Sequence, residues 1–287
     1  MRRIVAMRRV LYDAVGHFID DDGWAMASHV AISSLMALFP FLIFATTLAS
    51  FMGAEAFAET AVHLIFDTWP DQIAAPIARE VVNVLTVQRT DLLTFGIVLA
   101  AYFASNGIEA LRTALNRAYR VTETRSFIFR RLQSLAFVLI ATVGFAAISV
   151  LLVFAPLLAR LAEVKFEWIE PYVGTSTLWR LGIASAVIIL GLVVVHMWLP
   201  SGKRSFASIV PGILFTLAGW LAGSTIFANY LDRFSSYVTT YAGLASIMIA
   251  IVFLYIVSAV FILGGELNAA ISRYIEARAR VGGDAGA

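Results

Sequence analysis

The sequence predicts an all-α polytopic membrane protein, with six transmembrane helices and amphipathic helices on the membrane surfaces. Three observations lead there. Hydrophobic residues make up 60% of the 287 positions and charged residues only 14%, against roughly 25% charged in an average soluble chain. Mean hydropathy is +0.85. Six long windows contain no Asp, Glu, Lys or Arg, and the basic residues between them fall unevenly on the two sides. A soluble fold of this size could not hide so much apolar surface behind a polar exterior. The same figures exclude disorder, a collagen-like fibre and a basic nucleic-acid-binding domain.

Segment 1–23 comes first and is expected to be cytoplasmic. Ile4, Leu11, Val15 and Phe18 recur at helical spacing before Asp20, Asp21 and Asp22. That pattern predicts an amphipathic helix on the inner leaflet, with Arg2, Arg3, Arg8 and Arg9 toward lipid headgroups. No short apolar run with a small-residue cleavage site follows these arginines, so no removable signal peptide is expected. Asp22 is placed to cap the first span.

The six-helix domain is expected over residues 24–268. A helix needs about 20 apolar residues to cross a hydrocarbon core. The charge-free windows are Trp24–Met52, Leu92–Ile108, Leu132–Leu158, Leu181–Leu199, Ser205–Leu231 and Phe234–Gly265. One charge at a helix centre costs about 2.5–3.5 kcal/mol on insertion scales, so these windows are not chance. They place spans near 24–52, 92–112, 132–156, 179–199, 207–231 and 240–265. The second continues as helix past Glu109. The alternating polarity of a closed β-barrel is missing.

An even number of spans puts both termini on one side. Loops on that side carry 15 basic residues against 6 on the other, which makes it the expected cytoplasmic side. Segment 269–287 is then a cytoplasmic tail. Segment 54–91 is an outer loop, read as two short helices broken at Trp69-Pro70. Its first helix carries an acidic stripe, Glu55, Glu59, His63 and Asp67, read first as a solvated face, with attraction of a cation or substrate as the alternative. Trp168, Tyr172 and Trp179 suit an interfacial aromatic belt, and His196 beside Trp198 is read as interfacial too.

Polar residues inside the membrane are the functional candidates. Ser105, Glu109, Arg112 and Asn116 stand at i, i+4, i+7 and i+11 on the second span, with Asn106 beside them, and so share one helix face. Glu109 and Arg112 are spaced to pair. Lipid cannot solvate this face, so it should point inward. The last span ends in Gly264-Gly265-Glu266-Leu267-Asn268. Arg112, Lys203 and Arg204 are three candidate partners for Glu266. His29 lies one turn inside the first span and reads as a hydrogen-bonded packing residue. Gly219 and Gly223 form a GxxxG pattern that permits close helix approach, within the bundle or in a dimer. Ala27, Ala31 and Ser34 give the first span a small-residue face. Pro40, Pro156 and Pro211 are candidate kinks.

Catalytic signatures are missing. There is no HExxH, GxSxG, P-loop or Rossmann fingerprint. Cysteine is absent, and the four histidines lie too far apart for a zinc triad. No loop exceeds about 40 residues, too short for a catalytic domain. The expectation is therefore no enzyme, no cofactor and no metal site.

Several runs resemble the bacterial YihY/virulence factor BrkB family, historically labelled ribonuclease BN-like. They are Ala31-Ile32-Ser33-Ser34-Leu35-Met36-Ala37-Leu38-Phe39-Pro40, Leu115-Asn116-Arg117-Ala118-Tyr119 followed by Arg125 and Arg131, Leu199-Pro200, Pro211-Gly212, Tyr241-Ala242-Gly243-Leu244 and Gly264-Gly265-Glu266-Leu267-Asn268. Their order and spacing cover most of residues 20–275. Two departures stand out: the family's Tyr-Gly-Ser-Leu is Tyr241-Ala242-Gly243-Leu244 here, and a common Trp is Phe253. The resemblance implies a six-span inner-membrane protein with no settled activity. Its ribonuclease label is at odds with the short cytoplasmic segments and the lack of a metal-ligand cluster.

Two functional readings follow. One is a transporter or lipid-handling protein with a polar path between spans 2 and 6, made from His29, Ser105, Asn106, Glu109, Arg112, Asn116, Glu266 and Asn268. The other is a non-transporting scaffold or assembly factor, in which these residues only hold the bundle together. The expected partner is the lipid bilayer, with a lipid or small-molecule substrate on the first reading and no specific nucleic acid on either. A homo-oligomer is compatible with both. Lipid, sugar-linked lipid, ion and small solute remain open as substrates.

Overall fold

The computed structural model describes residues 2–51, 93–144, 176–233 and 242–284. Among them are seven α-helices and no strand. They are α1 (Arg2–Asp20), α2 (Gly23–Phe51), α3 (Leu93–Ala118), α4 (Phe127–Gly144), α5 (Ser176–Trp198), α6 (Phe206–Arg233) and α7 (Ala242–Asp284). Four are long and apolar enough to cross a membrane, over Gly23–Phe44, Phe127–Gly144, Phe206–Leu231 and Ile247–Arg280. A shorter apolar stretch covers Ser185–Trp198. Segment 54–91, read as an outer loop, Pro156, and the side chains of Trp168, Tyr172 and Trp179 lie outside the described residues.

Two helices run on past the span ends read from the sequence. The second span was expected to end near residue 112, and α3 runs on to Ala118. The last span was expected to end near 265, and α7 continues through what was read as a tail, to Asp284. Charge stops a span but does not stop a helix. Glu, Arg and Ala are good helix formers, and no Gly or Pro interrupts the run between Asn268 and Arg280. At 1.5 Å per residue α7 is about 65 Å long, roughly twice a hydrocarbon core.

The chain folds as two compact units. The first contains Met1–Leu35, Gly107–Arg130 and Gly191–Ala287; the second contains Met36–Asn106 and Arg131–Leu190.

In the first unit, α6 and α7 pack through small residues. A Cβ on Gly212 would overlap the Gly264 carbonyl, and one on Gly264 would overlap the Thr216 hydroxyl. Gly219 faces Val260 and Gly223 faces Ile256, which makes the GxxxG pattern an intrachain contact. The Trp220 indole N–H donates to the Val257 carbonyl at 2.9 Å, and Phe227 meets Phe253 with ring centroids 5.8 Å apart.

Helix α1 buries Val10, Ala14 and Phe18. Val10 and Ala14 cluster with Ala270, flanked by Leu267, Ile271 and Tyr274. Arg273 donates to Asp13 at 2.9 Å beside this contact. A two-residue corner then turns α1 into α2. Asp22 takes a left-handed φ of 54°, and its carbonyl accepts the Met26 N–H at 2.9 Å. Its carboxylate, expected as a helix cap, accepts from Arg117 at 2.9 Å, while Asp21 accepts from Arg120 at 2.9 Å. Ala27 and Ala31 of the small-residue face are fully buried.

In the second unit, Arg131 of α4 donates to the Ser105 hydroxyl at 2.8 Å and the Asn106 carbonyl at 2.9 Å. Its guanidinium lies 4.1 Å from the centroid of the Tyr102 ring. This contact ties α4 to α3.

Candidate functional site

The first unit gathers polar side chains where α3, α5, α6 and α7 meet the 119–126 and 199–205 loops. Helix α3 ends in a Schellman turn. The Val121 N–H reaches the Asn116 carbonyl, the Arg120 N–H reaches the Arg117 carbonyl, both at 2.9 Å, and Arg120 adopts φ 54°. That turn swings the chain back so that Glu123 meets Asn116. The Asn116 amide donates to Glu123 at 3.0 Å, and its oxygen accepts the Ser201 N–H at 2.7 Å. Glu123 binds Arg125 through two 2.7 Å contacts, and Arg125 donates to the Leu199 carbonyl at 2.9 Å. The Arg125 hydrogen bonds are the largest cause holding the Glu123 carboxyl down at about 2.

Arg204 closes the network. It donates to the Ser201 carbonyl at 2.9 Å and stacks over Tyr119, 4.1 Å from the ring centroid. Asn268 reaches the same tyrosine from α7. The Gly212 N–H can only donate, so the oxygen of Asn268 faces it at 2.6 Å. The Asn268 amide nitrogen therefore donates to the Tyr119 hydroxyl, at 3.1 Å. The hydroxyl proton then goes to His196 Nδ1, 2.9 Å away, which leaves the imidazole proton on Nε2. Burial pushes the Tyr119 phenol up to about 12.

Each sequence candidate has a definite place. Glu109 and Arg112 form the expected ion pair, with the Arg112 side chain 2% exposed and Glu109 25%. Arg112 also donates to the Arg130 carbonyl at 3.2 Å. Asn116 and Asn268 join one network through Ser201, Arg204 and Tyr119. Ser105 and Asn106 belong to the Arg131 cluster of the second unit. His29, read as a hydrogen-bonded packing residue, is instead exposed on α2.

Glu266 is only 1% exposed, and its Oε2 has no hydrogen-bond partner among the described residues. No ion pair joins it to Arg112, Lys203 or Arg204, the three expected partners: Arg112 is held by Glu109, and Arg204 by the Ser201 carbonyl.

Set against known proteins, the chain matches the model of one family, described as "Virulence factor BrkB", over residues 14–287. The chain belongs to the virulence factor BrkB family. It is 32% identical over 265 residues to the "Putative ribonuclease-like protein YfkH" of Bacillus subtilis, covering 88% of this chain and 91% of that one. It is 26% identical to a UPF0761 membrane protein of Legionella pneumophila, over 92% of this chain and 62% of the relative. A UPF0761 membrane protein of Pseudoalteromonas translucida is 22% identical over 90% and 84% of the two chains. No solved structure matches.

The geometry adds to this BrkB-family chain residues that the sequence reading left out of its polar path: Glu123, which it did not single out, Tyr119, Arg125 and Arg131, which it noted only in the resemblance, His196, and Arg204, which it named only as a partner for Glu266. His196 was read as interfacial, and the structure buries it completely against Tyr119 and Phe261. Its neighbour Trp198, 60% exposed, alone keeps the surface position. Among the described residues no group of three or more His, Asp or Glu is placed to hold a metal ion.

Proposed function

We propose that this multi-pass protein of the bacterial inner membrane, with both termini in the cytoplasm, is a transporter or lipid-handling protein, and that Glu266 is its working carboxylate. The observation that carries this reading is the buried Glu266 Oε2 without a partner among the described residues. An ionised carboxylate stripped of water and of partners costs several kcal/mol. A membrane protein that keeps one gives it a donor at some stage of its work: a proton, a cation, or an N–H or O–H of a solute.

Two buried polar atoms lie nearby on neighbouring helices, also without partners among the described residues. They are His196 Nε2, beside Gly265, and Thr216 Oγ1, beside Gly264. The test is reconstitution in vesicles carrying trapped pyranine and an inner-leaflet fluorescent phospholipid. The protein is expected to accelerate movement of protons or of the lipid above protein-free vesicles, and Glu266→Gln to remove the gain at unchanged thermal stability. No acceleration of either probe, or full activity of Glu266→Gln, overturns the reading.

A scaffold reading draws on a different observation, the closed set of bonds from Asn116 to Ser201 and from Arg125 to Leu199. Such a set fixes loops and moves nothing. On that reading Glu266→Gln is stable and fully functional in the cell. RNA cleavage fits neither. The exposed basic residues of the 112–131 segment, which leave out the buried Arg112, are expected to bind RNA weakly, in a salt-sensitive way, without cutting it.

A further inference from the structure

We propose that the free apolar stripe of α1 is a lipid-docking face lying in the interface of the membrane the chain spans, with Arg8 holding an anionic phospholipid headgroup. A surface helix normally carries one apolar face and one polar face. Helix α1 carries two apolar faces. The first, Val10 and Ala14, is buried on α7 and locked by Asp13 and Arg273. The second is Arg8, Leu11, Tyr12, Val15 and Ile19, at i, i+3, i+4, i+7 and i+11, which is one stripe of an α-helix. Its apolar members are 42%, 73%, 45% and 58% exposed in that order.

Two features select lipid as the occupant. The stripe runs into the corner where α1 becomes the span α2, and the next exposed apolar residue beyond it is Trp24, 56% exposed at the start of that span. The surface is therefore continuous with one that faces lipid. The local charge is positive as well. Arg8 and Arg9 are exposed, with no carboxylate partner among the described residues. Three of the acids nearby are engaged elsewhere, Asp13 with Arg273, Asp21 with Arg120 and Asp22 with Arg117, and the fourth, the exposed Asp20, lies off the stripe on the side of Arg9. An arginine whose stem lies along an apolar stripe and whose head is free suits a phosphate at headgroup depth.

The cysteine-free chain allows a direct test. Nitroxide labels are placed singly on Leu11→Cys, Val15→Cys and Ile19→Cys, and on Arg9→Cys and Asp20→Cys of the other face. The full-length protein is held in nanodiscs of neutral phospholipid, with or without one third phosphatidylglycerol. Oxygen should reach positions 11, 15 and 19 at least about threefold better than a water-soluble nickel chelate, and the order should reverse at 9 and 20. Adding Arg8→Glu to the position 15 label should lower the oxygen-to-nickel ratio about twofold in anionic discs and leave it unchanged in neutral ones. Nickel-dominated access at 11, 15 and 19 would place the stripe in water. Exclusion of both reagents with dipolar broadening would place a second copy there. Either result overturns the proposal, as does an Arg8→Glu variant without effect in anionic discs.

Discussion

Asn268 accepts the backbone N–H of Gly212 at 2.6 Å, at a point where the two helices touch backbone to backbone. A side chain on Gly212 would overlap both the Gly264 carbonyl and the Asn268 amide. Only glycine lets α6 and α7 approach so closely, and the approach places Asn268 under Tyr119.

The first expectation concerns that contact. Gly212→Ala should destabilise by about 1–3 kcal/mol, because the obstacle is backbone and cannot rotate away. Gly16→Ala makes the contrast. A Cβ there meets nothing within 4 Å, and alanine should stabilise α1 by up to about 1 kcal/mol. Melting temperatures in detergent should therefore move in opposite directions.

The second concerns Tyr119. Tyr119→Phe removes the hydroxyl that accepts from Asn268 and donates to His196. Two buried partners lose their bonds, which should cost about 1–3 kcal/mol. His196→Phe in the same background should recover part of the loss, because it removes one of the stranded groups. A thermodynamic double-mutant cycle in detergent would read this coupling, and strict additivity would show that the chain of bonds is not coupled.

A third expectation follows from Glu123, whose carboxyl sits at about 2 when folded and near 4.3 in an unfolded chain. A depressed carboxylate stabilises the fold at pH values above its unfolded pKa. That contribution fades as pH falls from about 4.3 toward 2, where both states are protonated. The stability difference between the native chain and Glu123→Gln should thus be constant above pH 5 and shrink below it. A difference that grows on acidification would contradict the geometry of Glu123 and Arg125.

Four long apolar helices were legible in the sequence because lipid excludes charge. The charge-free window that opens at Trp24 begins within a residue of α2, at Gly23. The same rule could not place the ends of α3 or α7, since charge marks the membrane edge and not the end of a helix. Local pairs were legible as well: Glu109 and Arg112 stand three apart on one turn. The rest of the network was not. Tyr119 meets His196 across 77 positions and Asn268 across 149. The GxxxG of α6 announced a close approach without naming Val260 and Ile256 as its partners. His196 was assigned to the surface from its neighbour Trp198. On a helix, though, residues two positions apart point about 160–200° apart, so one can be exposed while the other is buried.

The last expectation concerns the Glu109–Arg112 pair, whose members are unequally buried. Arg112 has almost no solvent contact, whereas a quarter of the Glu109 side chain is exposed. Deleting the carboxylate leaves the guanidinium where water cannot replace it, and such losses typically cost about 3–5 kcal/mol. Deleting the guanidinium leaves a carboxylate that water reaches in part, so Arg112→Gln should cost less, about 1–3 kcal/mol, including its bond to the Arg130 carbonyl. Glu109→Ala should therefore be the worse single change, measured as melting temperature and folded yield in detergent. Glu109→Gln combined with Arg112→Gln should recover much of the loss, because no lone charge remains. Equal losses from the two single changes would mean that the pair is solvated symmetrically, against the burial of Arg112. A double variant that is stable but inactive in the cell would show that the charges themselves are used. One that is stable and active would confine the pair to holding α3 against the 126–130 segment.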